Sequence, residues 1–531
     1  MNLLSPAARV RQGSILFSPD GTALIDLLSL TEKQLRSYRG NQLAMIFQEP
    51  MTSLNPVMTC GAQCCEPLML HKKLTWRQAR LETLNSFEKV HLPEPSSIFK
   101  RYPHQLSGGQ KQRVMIAMAI SCRPSLLICD EPTTALDVRV QKTILDLLKE
   151  LRRSENIGMI FITHDLGLVA DMADRALVML KGQVVESGPV TELFTRPQHP
   201  YTKGLLMCRP ALHKKGERLP VVSDFLQPVS EGGKTYSESF SIDHAITKNE
   251  IFSAVDPEKS PAGGKEILIK VSGVGVRYNA GYNWFGRPRQ SIDAISDIHF
   301  DVYHGETLGI VGESGSGKTT LGRALLGLNK PAKGSIKYGG VELTTLPKSD
   351  LLAFRRNIQM VFQDPYSSLN PRLMIGAAIA EPVKVHSAAL KKERKEQVLE
   401  LLNKVGLNPE HFNRYPHAFS GGQRQRIVIA RALILKPGFV VFDESVSALD
   451  VSVQAQVLNL INDLKKNLGF TAVFISHDLS VIQYLCDRVL VMEKGRIVET
   501  GDADTIYNNP QNSYTRSLID AIPGKTTSKT P

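Results

Sequence analysis

GESGSGKT, residues 312–319, decides how this chain is read. It fits the pattern G-x-x-x-x-G-K-[ST]. ETLGIV, residues 306–311, precedes it as an apolar run of strand length. TLGRALLGL, residues 320–328, follows with apolar residues at helical spacing. Strand, glycine loop and helix together make a phosphate cradle. Glycines let backbone N–H groups approach the oxygens, and the helix N-terminus adds partial positive charge. Gly312, Glu313, Ser314, Gly315, Ser316 and Gly317 are expected to line the phosphates, with Thr320 in the first helical turn. Lys318 can reach the β- and γ-phosphates, and the Thr319 hydroxyl can take a Mg²⁺ position. The stretch predicts a nucleoside triphosphate site.

Working outward, the chain repeats itself. MIFQEPMTSLNP at 45–56 recurs as MVFQDPYSSLNP at 360–371, and RYPHQLSGGQKQRVMIAMA at 101–119 as RYPHAFSGGQRQRIVIARA at 414–432. ICDEPTTALDVRVQ at 128–141 recurs as VFDESVSALDVSVQ at 441–454, and FITHDL at 161–166 as FISHDL at 474–479. Four motifs in one order, offset by 313 to 315 residues, mean a tandem duplication of a whole domain. The period is too long for a solenoid unit.

Each copy carries a helical-period segment between its first two motifs: Leu81, Leu84, Phe87 and Val90 in one, Val398, Leu401, Leu402 and Val405 in the other. SLLICDE and FVVFDE read as buried strands ending in carboxylates, and MIFITHD and AVFISHD as the next strands. Apolar strands alternating with helices predict an α/β fold, with a mainly parallel sheet covered on both faces. Ligands of such sheets sit at the carboxyl ends of the strands, where these acidic and His residues fall. The predicted domains are 1–210, a linker over 211–264 rich in Pro, Gly, Ser and charge, and 265–531.

The copies differ at the front. GSILF at 13–17 already matches GSIKY at 334–338, which lies downstream of the phosphate loop, so the first copy has no counterpart of that loop. Either the reading frame starts late or the first copy is a degraded, non-binding one. The late start is the expectation, because so much downstream chemistry survives.

Composition narrows the class. At 531 residues, 42% apolar and 22% charged, the chain is long enough for several domains of ordinary globular type. No run of eighteen apolar residues occurs, and the first residues lack the apolar core of a signal peptide, so a cytoplasmic location is expected. Seven irregularly spaced cysteines form no disulfide framework, and reduced thiols are expected. The +12 net charge is spread out, which favours a solvated basic surface over a nucleic-acid footprint.

At SGGQ a family resemblance becomes specific. A phosphate loop, FQ, (L/F)SGGQ, an apolar strand ending in DE, ALD, and an apolar strand ending in His, in that order, resemble the nucleotide-binding domain of ABC transporters. MTSLNP and YSSLNP, with QHPYTKGLL at 198–206 and QNSYTRSLI at 511–519, resemble the oligopeptide/dipeptide/nickel importer subfamily. The fused form is similar to ATPases of peptide, glutathione and microcin-type uptake systems. The resemblance implies two tandem P-loop NTPase domains, each with a parallel core, a helical subdomain and an antiparallel β subdomain, the first truncated at its N-terminus.

The residues can be given roles on that basis. Asp443, at a strand end, suits Mg²⁺ coordination beside Thr319. Glu444 is placed to orient or deprotonate the attacking water. Gln363 can touch Mg²⁺ and water, and the resemblance adds that its loop senses the permease. His477 is expected to bond the γ-phosphate as the family's switch histidine does. Tyr278 is the candidate for stacking on adenine. Ser420 and Ser107 each open a helix as plausible caps. In this family the serine-led helix closes over the γ-phosphate held by the opposite domain. The resemblance therefore implies that the Lys318 site is completed by Ser107, Gly108, Gly109 and Gln110. The reciprocal site keeps Gln48, Asp130, Glu131, His164 and the second SGGQ but lacks its loop.

The expectation is an ATP- and Mg²⁺-dependent ATPase that energises an importer, with peptides as the substrate class. It would work with two transmembrane permease subunits and, through them, a substrate-binding protein. It would lie peripherally on the cytoplasmic face of the inner membrane, touching neither substrate nor nucleic acid. With only Cys208 near the C-terminal cysteine cluster of some subfamily members, no iron–sulfur cluster is expected. The alternative is a soluble tandem ATPase acting on ribosomes or DNA. That group carries a long charged helical arm or a zinc module, and neither pattern occurs between the copies.

Overall fold

The computed structural model describes residues 8, 10–19, 21–48, 53–134, 136–226, 266–282, 288–387, 390–447 and 449–523. It divides into two compact units. The first comprises residues 1–178, 187–196 and 521–531, and the second 179–186 and 197–520.

In the first unit, β1 (Leu16–Phe17) pairs antiparallel with β2 (Ile25–Asp26). β3 (Leu43–Ile46), β4 (Leu126–Asp130) and β5 (Gly158–Ile162) form a parallel sheet in that order. β6 (Arg175–Leu180) and β7 (Gln183–Pro189), whose residues are divided between the two units, form a separate two-stranded sheet. The second unit begins its cassette with two long antiparallel strands, β8 (Ile267–Tyr282) and β9 (Pro288–Tyr303). β10 (Thr307–Val311) leads into the phosphate loop. After β11 (Lys333–Tyr338) and β12 (Val341–Glu342) come β13 (Ile358–Val361), β14 (Phe439–Asp443), β15 (Thr471–Ile475), β16 (Arg488–Glu493) and β17 (Arg496–Asp502). Their six-stranded sheet runs β13-β14-β15-β10-β16-β17, parallel except for the last pair. A four-stranded antiparallel sheet, β12-β11-β8-β9, lies beside it.

The apolar runs explain the central strands. TLGIV, FVVFD and TAVFI are buried at every residue, as strands of a parallel sheet covered on both faces must be. The equivalent runs of the first unit do not reach that state. In β5 the residues alternate between exposed and half-buried, with Ile160 and Ile162 48% and 46% exposed. Burial on both faces holds for the second copy's strands and not for β5. Among the described residues, β5 is the edge of a three-stranded sheet, whereas its counterpart β15 sits between β14 and β10.

The helical segments follow the predicted period in the second copy. Val398, Leu401, Leu402 and Val405 are all buried, on or at the end of helix Lys391–Lys404. In helix Trp76–Lys89 the stripe is different. Leu81 is 58% exposed, and Ala79, Thr83, Ser86 and Phe87 face inward, with Val90 at the C-cap. Small and hydroxyl-bearing residues supply the inner face there, which an apolar count overlooks.

The stretch read as the head of the linker is ordered and belongs to the second unit. Leu219, fully buried, donates its N–H to Asn459 Oδ1 at 3.0 Å and accepts from Asn459 Nδ2 at 2.8 Å. Tyr484 donates its hydroxyl to the Glu217 carbonyl at 2.7 Å, and Lys215 pairs with Asp487. Residues 227–264, the rest of the predicted linker, lie outside the described residues, as does residue 265. All seven cysteines are buried free thiols.

Candidate nucleotide site

The phosphate loop connects β10 to helix Lys318–Leu325. Two of its glycines are imposed by close approach. A Cβ at Gly312, with φ +152°, would stand 2.2 Å from the Met492 carbonyl oxygen. At Gly317, with φ +100°, it would stand 2.5 Å from Ile295 Cγ2. The end of β16 and the middle of β9 thus press on the loop and leave room only for backbone. At Gly315 a Cβ would meet nothing within 4 Å, so the third glycine faces open space. Lys318, 4% exposed, donates its ammonium to the carbonyls of Gly312 at 2.7 Å and Glu313 at 2.8 Å. It spans the loop, and a phosphate in the cradle would meet that charge.

Thr319 Oγ1 donates to Asp443 Oδ1 at 3.1 Å, joining the helix start to the carboxyl end of β14. Asp443 is 2% exposed, and burial pushes its carboxyl above the ordinary range. The Thr319 hydrogen bond and the charges of Arg323 and Lys318 oppose that rise, and the Glu444 charge adds to it. A buried carboxylate short of positive charge, touching a hydroxyl beside the phosphate cradle, fits a divalent cation.

Glu444 follows directly. Its N–H bonds the Ile475 carbonyl at 2.9 Å, extending the β14–β15 ladder by one residue. Its φ is +45°, a left-handed conformation rare for a side-chain-bearing residue, and Glu131 repeats it at +45° in the first copy. Gln363 Nε2 donates to Glu444 Oε2 at 2.7 Å, and His477 Nδ1 lies 3.6 Å from the same oxygen. Burial works against ionisation of Glu444, but His477 and the Lys318 charge outweigh it and hold the carboxyl below its ordinary value. Burial also disfavours a charged His477. Glu444 outweighs it and raises the imidazole pKa. The result is a carboxylate ionised at neutral pH, beside the cradle and oriented from two sides.

Tyr278, on β8, is 45% exposed. Its hydroxyl accepts from Asn329 Nδ2 at 2.7 Å and lies 3.4 Å from Thr320 Oγ1. The sequence reading did not include Asn329, which fixes the tip of that ring.

The first unit repeats the carboxylate cluster. Gln48 Nε2 donates to Glu131 Oε2 at 2.7 Å, and His164 Nδ1 lies 2.8 Å from Glu131 Oε1. Ser107 caps helix Gly108–Ile120 in a capping box. Its hydroxyl accepts from the Gln110 N–H at 3.3 Å, and Gln110 Oε1 accepts from the Ser107 N–H at 3.1 Å. Ser420 and Gln423 do the same for helix Gly421–Leu433. The second glycine of each motif is a packing necessity. A Cβ would approach Val140 Cγ1 to 2.8 Å at Gly109 and Val453 Cγ1 to 2.2 Å at Gly422. The spacing S-x-x-Q is the local signal for the glutamine's part in the cap.

Phosphate loop, metal-type carboxylate and oriented glutamate at the carboxyl ends of parallel strands define a nucleotide-hydrolysing P-loop cassette. The ABC transporter family model matches residues 1–134 and 295–447. The model for the oligopeptide/dipeptide transporter C-terminal region matches 185–235 and 498–530. The glutathione import ATP-binding protein GsiA of Pectobacterium atrosepticum is 46% identical over 97% of this chain and 80% of its own length. That of Salmonella choleraesuis is 45% identical, with the same shares. A solved structure, the dimeric post-hydrolysis state of the ATP-binding cassette MJ0796 bound to ADP and Pi, is 28% identical with a TM-score of 0.41, over 44% of this chain and 99% of that one. The chain belongs to the ABC transporter family and is an ATP-binding, ATP-hydrolysing member of it. Among the described residues, no helix is long and apolar enough to cross a membrane.

Proposed function

We propose that the second cassette hydrolyses ATP to energise import of glutathione or a related small peptide through separate permease subunits. The observation that carries the catalytic part is the Gln363–Glu444–His477 cluster beside the phosphate loop. Lys318 and the loop amides bind and orient the phosphates. Thr319, Asp443 and Gln363 would hold Mg²⁺, which supplies charge neutralisation to the β- and γ-oxygens. Glu444, ionised and held by Gln363, accepts the proton of the attacking water. His477 holds that carboxylate and reaches toward the γ-phosphate. Tyr278 stacks on the adenine. Ser107, Gly108, Gly109 and Gln110 of the first copy complete the site, a reading that rests on the order of the motifs and their resemblance to the family.

The substrate class is supported by the printed function of the relatives and by the two matches to the oligopeptide/dipeptide C-terminal region. On this reading the chain docks on two permeases at the cytoplasmic face of the inner membrane, with a substrate-binding protein delivering the cargo, a reading supported by the importer relatives. The test is uptake of labelled glutathione by cells lacking this chain, complemented with the parent or with Glu444→Gln. Restoration by the parent alone supports the reading. Equal uptake with either overturns it, and co-purification with ribosomes instead of permeases would favour the ribosome-acting alternative.

A further inference from the structure

The phosphate loop touches an element far from it in sequence. Tyr514, on helix Ser513–Ile519 of the C-terminal extension, is 7% exposed. Its hydroxyl accepts the N–H of Glu313 at 3.1 Å, across 201 residues of chain. The tyrosine is held from behind. Glu499 on β17 accepts the N–H groups of Gln511 at 2.7 Å and Asn512 at 3.2 Å, and Asn512 Oδ1 accepts the N–H of Tyr514 at 2.8 Å. Glu313 therefore links two partners: its N–H is held by Tyr514, and its carbonyl accepts from Lys318 at 2.8 Å.

We propose that Tyr514 is a positioning residue of the nucleotide site. It fixes the entry to the phosphate loop, and through Glu313 the seat of Lys318, and so sets ATP affinity without touching the nucleotide. The loop has little side-chain bulk of its own to hold its shape, so an external hydrogen bond to its second residue restricts the backbone where glycine would otherwise let it wander. The inference rests on the reading of residues 312–319 as the nucleotide loop.

The first copy shows that the extension does not need this bond in order to fold. Glu186 accepts the N–H groups of Gln198 at 2.7 Å and His199 at 3.1 Å, and His199 Nδ1 accepts that of Tyr201 at 3.1 Å. The same module is thus built around Tyr201, although its copy has no phosphate loop in this chain. Removing one hydroxyl from Tyr514 should leave the module standing.

The experiment uses the full 531-residue chain. ATP affinity is measured by titration with a fluorescent ATP analogue, and ligand-free melting by calorimetry, for the parent, Tyr514→Phe, Tyr201→Phe and Lys318→Ala. Tyr514→Phe should bind about three- to tenfold more weakly, the range of one net hydrogen bond, while remaining fully folded at the assay temperature. Tyr201→Phe should bind as the parent does. Parental affinity in Tyr514→Phe, while Lys318→Ala has lost binding, overturns the inference alone. Equal weakening in both tyrosine variants, or weakening accompanied by partial unfolding at the assay temperature, overturns it in favour of a merely structural role. Binding that survives Lys318→Ala overturns the nucleotide reading and this inference with it.

Discussion

Gln363 donates its side-chain amide to Glu444 at 2.7 Å, and Gln48 does the same to Glu131 at 2.7 Å in the other copy. The glutamine after one strand is a direct partner of the carboxylate after the next. Movement of the glutamine loop would release or re-aim the carboxylate. This gives a physical route by which a docked subunit could reach the chemistry.

Glu444→Gln keeps the shape and the Gln363 contact but removes the proton acceptor. Hydrolysis should slow by about 10²–10⁴-fold while ATP binding persists. Single-turnover hydrolysis and nucleotide titration of the same preparation check both halves. Turnover at the parental rate would remove Glu444 as the base.

Lys318→Ala takes the ammonium from the two loop carbonyls it bridges and from the incoming phosphates. In the 531-residue chain, nucleotide binding at this site should be nearly lost, as read by equilibrium dialysis. A stoichiometric site that survived would place nucleotide on the first copy.

Ser107→Arg and Ser420→Arg separate a shared site from independent copies. Each removes an N-cap, at a cost of about 0.5–2 kcal/mol, and adds a bulky cation. Under the proposed sharing, Ser107→Arg should collapse hydrolysis and leave ATP binding, while Ser420→Arg does far less. Equal loss in the two, or loss only in Ser420→Arg, sinks the shared site.

Asn459→Ala orphans both backbone groups of the fully buried Leu219. Each should cost about 1–3 kcal/mol, seen as a lower melting temperature of the full chain. An unchanged melt would mean that the 213–226 stretch contributes nothing to the stability of the second unit.

Asp487 predicts an acid limb. Burial raises its carboxyl, but the bond from Lys215, the Thr307 N–H, and the charges of Lys215 and Lys465 outweigh burial and hold it below the usual value of 3.8. A group depressed in the folded state contributes stability above its unfolded pKa and loses it as pH falls through the folded pKa. Asp487→Asn should therefore lower stability at neutral pH and flatten its fall below about pH 4. Urea midpoints across that range test it, and parallel curves for parent and variant would refute it.

Much of this protein is legible in short stretches. GESGSGKT with its flanks gives strand, loop and helix, because glycine spacing and apolar period are local properties. Ser107 and Ser420 are readable as caps, since a cap bonds within three residues. The stripe Val398, Leu401, Leu402 and Val405 is buried as its spacing requires. In helix Trp76–Lys89 that reading failed at Leu81, because Ala79 and Thr83 fit the neighbouring helices and a leucine does not mark the inner face by itself.

The sequence alone determined the duplication, the order of the motifs and the chemical identity of the site, all carried by neighbours in the chain. Only the tertiary structure decided that 213–226 packs with Asn459 and Tyr484, that Met492 and Ile295 leave no space at Gly312 and Gly317, and that Tyr514 meets Glu313. It also decided that one apolar strand, β15, is buried at every residue while its counterpart β5 lies half exposed. The physical reason is the same throughout. A strand's burial and a loop's clearance are set by whatever stands on either side of it, and those neighbours come from hundreds of residues away.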